Sequence, residues 1–205
     1  MIFDILTIYI LVLTITLSFV GYGFVLTNFV DKNIIKFNLG YIGLLGLFFS
    51  TIISYFTIFL VKHGYIHNLI FHSLGVSFFI YFINKNRNII NFKRYILIFS
   101  ILFIGLLILR NHDDFNYYHL TYSLGLTENK LILGLGNLGH GYTHHSSIFF
   151  LNSLLFLPYI KHFLFHSVGW ISLFFVNLII LDELLFKHRK KLDFEFFFYI
   201  FSFLF

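Results

Sequence analysis

LGYIGLLGLFFSTIISYFTIFLV, residues 39–61, carries no charged side chain. Its length matches the ~20 apolar residues a helix needs to cross about 30 Å of hydrocarbon. Gly40, Gly43 and Gly46 recur within it at about one per turn, which gathers small residues on one face where a second helix can approach closely. The segment reads as a transmembrane helix, and its neighbours repeat the pattern.

Towards the N-terminus, a short connection at 27–37 carries Lys32 and Lys36, and before it Ile5–Leu26 reads as a first span with Asp4 at its leading edge. Gly21 and Gly23 near its end read as close packing or fraying rather than a nucleotide motif. Towards the C-terminus, KHGYIHN leads to a third span, Leu69–Ile83, and KNRNIINFKR to a fourth and shorter one, Tyr95–Leu109. Phe163–Phe186 reads as the last full span. Hydrophobic residues are 59% of the chain, charged residues 11%, and mean hydropathy is +0.87. Ordinary soluble domains are about 45–50% apolar and about 25% charged. The expected fold is all-α: one polytopic transmembrane domain over residues 1–205, with about five spans plus interfacial helices in one large external loop.

With no cysteine, disulfide frameworks and thiol chemistry are excluded. The formal charge of +5 reads as topology signals in short loops and implies no nucleic-acid partner. The N-terminus lacks the basic region and small-residue site of a cleavable signal peptide. The apolar run Phe194–Phe205 stops after about 12 residues, too few to span, so the chain is expected to be the front part of a larger protein.

Lys85, Arg87, Lys93 and Arg94 place the third connection in the cytoplasm by the positive-inside rule. The N-terminus and the stretch 110–147 then lie outside, and the basic cluster Lys187–Lys191 returns inside. An odd number of spans must separate residues 147 and 186. The apolar run Ile148–Leu157 is about 15 Å long as a helix, too short to be one of them. Residues 147–160 therefore read as a helix at or dipping into the outer interface, ending where Pro158 breaks it. The expected location is the bacterial inner membrane, and the lipid bilayer is the first partner.

RNHDDFNYYHLTYSLGLTENKLILGLGNLGHGYTHHSS, residues 110–147, is the long polar interruption, and loops of this length are usually functional or disordered. Its aromatic and aliphatic content speaks against disorder. As a surface helix over 114–127, it would set Asn116, His119, Ser123 and Thr127 on one polar face beside an apolar one. Asp113 and Asp114 stand at its head. Capping uses one carboxylate; a second beside His112 points to a general base or to a divalent-metal ligand. His112, Asp113, His144 and His145 could converge on Zn, Mn or Fe. Polar loop residues at an interface are the plainer alternative. Ser146 and Ser147 suit the cap of the following helix. His63, His67 and His72 flank an external connection and carry less weight, while Asn152 and Asn177 read as interhelical hydrogen-bonding groups.

The run DDFNYYHL, then GLGNL, then HSSIFFLNSL resembles a loop found in uncharacterised bacterial membrane proteins. Those proteins look like distant relatives of the GT-C superfamily of polyprenyl-phosphate-sugar-dependent glycosyltransferases. The resemblance covers Asp113 to Leu157. It implies that Asp114, with Asp113, takes the catalytic acidic position. It assigns Tyr118, His119, Asn137, His145, Ser146 and Ser147 to substrate binding, a lipid-linked sugar as donor, and Asp113 and Asp114 as holders of any divalent metal. His145 stands where the family has Asn, and the family's Arg near Gly141 is missing. Two other classes compete with this reading: a transporter or export component using the same loop to bind its substrate, and a metal- or haem-binding membrane protein built on the histidines.

Overall fold

In a computed structural model, residues 2–30, 38–85, 92–108, 113–134, 137, 146–184 and 194 are described. Among them lie seven α-helices and no strand. They are α1 (Ile2–Val30), α2 (Leu39–Leu60), α3 (Tyr65–Lys85), α4 (Phe92–Leu107), α5 (His119–Glu128), α6 (Ser147–Leu154) and α7 (Val168–Asp182). Four stretches are long and apolar enough to cross a membrane: Asp4–Val30, Leu39–Leu60, Tyr65–Lys85 and Phe165–Asp182. The fourth expected span is the shorter α4, whose 16 residues rise about 24 Å at roughly 1.5 Å each.

The glycine stripe does what its spacing implies. α2 runs antiparallel to α1, and a Cβ at Gly46 would fall on the Phe19 backbone carbonyl. α3 runs parallel to α1, with Gly21 against Gly75 and Phe24 stacked on Phe82. α7 lies antiparallel to α2, its Phe175 ring covering Gly43. α4 lies antiparallel to α7, with Tyr95 and Phe99 edge-on to Phe174 and the Trp170 indole donating to the Leu102 carbonyl at 3.3 Å. Arg94 at the start of α4 meets Asp182 at the end of α7 at 3.3 Å, so the acidic end of α7 pairs with a residue of the basic connection.

Large apolar side chains are exposed along the outer faces of the long helices, among them Phe48, Phe56, Ile80, Ile104 and Leu173. Exposed apolar surface of this extent is foreign to a soluble monomer and natural beside lipid tails. The four long apolar helices mark an integral membrane protein.

Several element boundaries differ from expectation: α1 runs on to Val30, past Leu26, and α7 begins at Val168 rather than Phe163. α3 begins at Tyr65 rather than Leu69, because polar residues of its first turns bond to neighbouring elements. The helix expected over 114–127 is a 3₁₀ turn, Asp113–Phe115, followed by α5 from His119. The helix expected over 147–160 ends at Leu154. After it a tight turn bridges Leu157 and Lys161, with Tyr159 at φ 70° and Lys161 at φ 46°. Proline at 158 cannot extend a helix, and the Leu157 carbonyl is taken by the Lys161 amide at 2.8 Å.

Candidate functional site

Asp113 and Asp114 form a 3₁₀ turn shortly after α4, and the Asp114 carbonyl accepts from the Tyr117 amide at 3.2 Å and the Tyr118 amide at 3.4 Å. Asp113 is exposed, Asp114 half-buried, and the adjacent Phe115 is buried edge-on against His166, just before α7. The carboxylates therefore sit at the end of the bundle opposite the Arg94–Asp182 pair. They do not cap α5, whose N-cap is Tyr118 with no side-chain hydrogen bond.

Tyr118 and His119 pack edge-on to each other, and both meet Phe149 of α6, at 6.2 and 5.1 Å between ring centroids. Ser146 caps α6, its hydroxyl accepting from the Ile148 amide at 3.4 Å, and Ser147 is exposed beside it. Tyr118 and His119 thus stand by the first turn of α6, next to its two serines. Asn137 is exposed, its amide bonded to the Gly134 carbonyl at 3.0 Å, with Gly134 in the left-handed region at φ 85°. His145 lies outside the described residues, as do His112, His140 and His144. Among the described residues no three His, Asp or Glu side chains converge as metal ligands.

Of the polar face expected on the surface helix, Asn116 is exposed and His119 half-buried, and the other two residues point inward. Ser123 and Thr127 are buried together with Tyr122 and Leu126, and the Thr127 hydroxyl is satisfied by the Leu124 carbonyl at 2.8 Å. Returning a hydroxyl to the helix's own carbonyl lets a small polar residue face a packed interior. Burial raises the Tyr122 phenol above its ordinary pKa. Tyr122, Leu126, Phe149, Phe150 and Ile58 make a second core, separate from that of the long helices. Asn177, expected to bond between helices, bonds to the Leu173 carbonyl of its own helix and to no neighbour among the described residues. The Asn152 carbonyl oxygen and the Ser123 hydroxyl are buried without a partner among the described residues.

A polar network under this layer was not expected from the spacing of its residues. The His63 ring is fully buried between the Ser153 hydroxyl, 2.7 Å from Nδ1, and the Thr57 hydroxyl, 3.0 Å from Nε2. Ser153 donates to the Phe150 carbonyl at 2.8 Å, so it accepts from Nδ1–H, and the single Thr57 hydroxyl proton is shared between Nε2 and the Ser54 carbonyl 3.3 Å away. This pattern suits a neutral ring. Burial, aided by the neighbouring His67, lowers the His63 pKa to about 3. The Asn68 amide donates to the carbonyls of His63, Ser153 and Phe156 at 2.8, 2.8 and 3.0 Å. His72 Nε2 donates to the Leu154 carbonyl at 3.1 Å. One sequence signal for the network was present: histidines at 63, 67 and 72 with Asn68, at one span's entrance.

No protein-family model, no curated protein and no solved structure matches the chain.

Proposed function

We propose that the chain is a membrane glycosyltransferase of the GT-C type, drawing sugar from a lipid-linked phosphate donor on the external face of a bacterial inner membrane. One observation carries this reading. An exposed carboxylate beside a half-buried one follows shortly after the apolar helix α4, next to the α5–α6 layer and opposite the basic end. In the reaction, Asp114 or Asp113 takes the proton of the acceptor hydroxyl. The hydroxyl oxygen then bonds to the anomeric carbon of the sugar while that carbon's bond to the lipid phosphate oxygen breaks, and the phosphate leaves with the electron pair. Tyr118, His119 and the loop at Asn137 border the donor phosphate, with Ser146 and Ser147 at the first turn of α6. In this reading α4 is the fifth crossing, and the N-terminus and residues 110–147 face outward because Lys85, Lys93 and Arg94 hold the other end in the cytoplasm.

Sugar transfer by the full-length protein tests this. Asp113→Asn and Asp114→Asn together should lower the initial rate by about 100-fold or more, the size of a lost general base. Transfer at the wild-type rate would overturn the assignment.

A further inference from the structure

A cavity of about 650 Å³ lies at the far end of α5 from the carboxylates, within the ~300–1,000 Å³ usual for small-molecule sites. Four segments wall it: the α2–α3 connection, the first turns of α3, the end of α5 at Thr127 and Glu128, and Phe156 just after α6. Tyr65 stacks on Phe156 at 4.4 Å, the rings 8° from parallel, and both line the cavity. Ile66 and Ile70 line it too, one turn apart on a helix long enough to span the bilayer, and they are 77% and 56% exposed. The cavity is therefore apolar and continuous with the exposed apolar face of α3. Its charged lining residues are of opposite sign: Lys62 in the connection and Glu128 at the end of α5. Neither is in an ion pair among the described residues.

We propose that this cavity binds a bilayer phospholipid whose head group carries both a phosphate and a primary ammonium, as in phosphatidylethanolamine. Lys62 meets the phosphate, Glu128 meets the ammonium, and one acyl chain descends past Ile66 and Ile70. The charge pair selects against a purely anionic head group, which Glu128 repels. Because the cavity joins the α2–α3 connection to the end of α5, a bound lipid braces the α5–α6 layer against the long helices. This holds whether or not the carboxylates transfer sugar.

Native mass spectrometry of the delipidated full chain, offered phosphatidylethanolamine and phosphatidylglycerol in equal amounts, tests it. The wild type should retain phosphatidylethanolamine about tenfold more, the scale of one charge-assisted hydrogen bond. Lys62→Glu should lose that preference. Glu128→Lys should invert it towards phosphatidylglycerol, a gain that misfolding cannot mimic. Asp113→Asn with Asp114→Asn should leave lipid retention unchanged, which separates this site from the proposed transfer chemistry. Equal retention of both lipids by the wild type, or an unchanged preference in Glu128→Lys, would overturn the proposal. So would displacement by a polyprenyl phosphate at equal concentration, because the cavity would then be a donor site.

Discussion

His63 is held by two hydroxyls and is fully buried, so its neutral state is part of the fold. Its pKa falls from 6.5 to about 3 on folding, chiefly by burial. The unfolded ring therefore binds a proton that the folded ring refuses, and stability is lost as pH falls below 6.5 and continues to fall towards 3. At pH 5 the cost is about 2 kcal/mol, taken from 1.36 kcal/mol per pH unit over the interval. Melting temperatures in detergent should drop between pH 7.5 and pH 5, and His63→Gln should flatten that drop while lowering the pH 7.5 value. A pH curve of unchanged slope in the variant would show that another group is responsible. At this scale the sequence was only partly legible. His63, His67 and His72 stood out by type, but whether a histidine faces water or two hydroxyls depends also on α6, whose Ser153 lies far away in the chain. Asp113 and Asp114 are an exposed and half-buried pair, whereas of the polar face assigned to Asn116, His119, Ser123 and Thr127 the last two are buried.

Helix contacts rest on glycine where backbones touch. At Gly46 an added Cβ would meet the Phe19 carbonyl, a backbone atom that cannot rotate away. Gly46→Ala should therefore destabilise by about 3 kcal/mol, at the upper end of overpacking costs. Gly125, inside α5, has nothing within 4 Å of such a Cβ. Gly125→Ala should stabilise by about 0.5–1 kcal/mol through helix propensity. Unfolding titrations with a denaturing detergent compare the two; equal effects would remove the packing argument. Both glycines sit in helices. The repeated spacing of Gly40, Gly43 and Gly46 did foretell a contact face. The partners of that face, α1 and α7, are a matter of tertiary arrangement. Element ends were legible where a local group sets them, as Asn38 does by accepting from the Gly40 amide at 2.7 Å. They were missed at α3 and α5, where distant contacts override local preference.

The whole molecule is an integral membrane protein whose up-and-down order can be checked simply, because the chain has no cysteine of its own. Leu133 is 84% exposed in the long loop, and Lys85 ends α3 at the other end. Cysteine at 133 should react with a membrane-impermeant maleimide in intact cells, and cysteine at 85 only after permeabilisation. The reverse pattern would invert the proposed orientation. Hydrophobic run length and the small number of charges determined by themselves that the chain is helical and membrane-embedded, since a backbone in hydrocarbon must satisfy its own hydrogen bonds. Tertiary structure alone decided that α5 and α6 form a packed layer and do not lie loose on the surface. It also decided that Asn68 holds three carbonyls and that a charged-rimmed apolar cavity opens beside α3. Those outcomes depend on which distant segments meet, and periodicity along one helix states which face is apolar without saying what covers it.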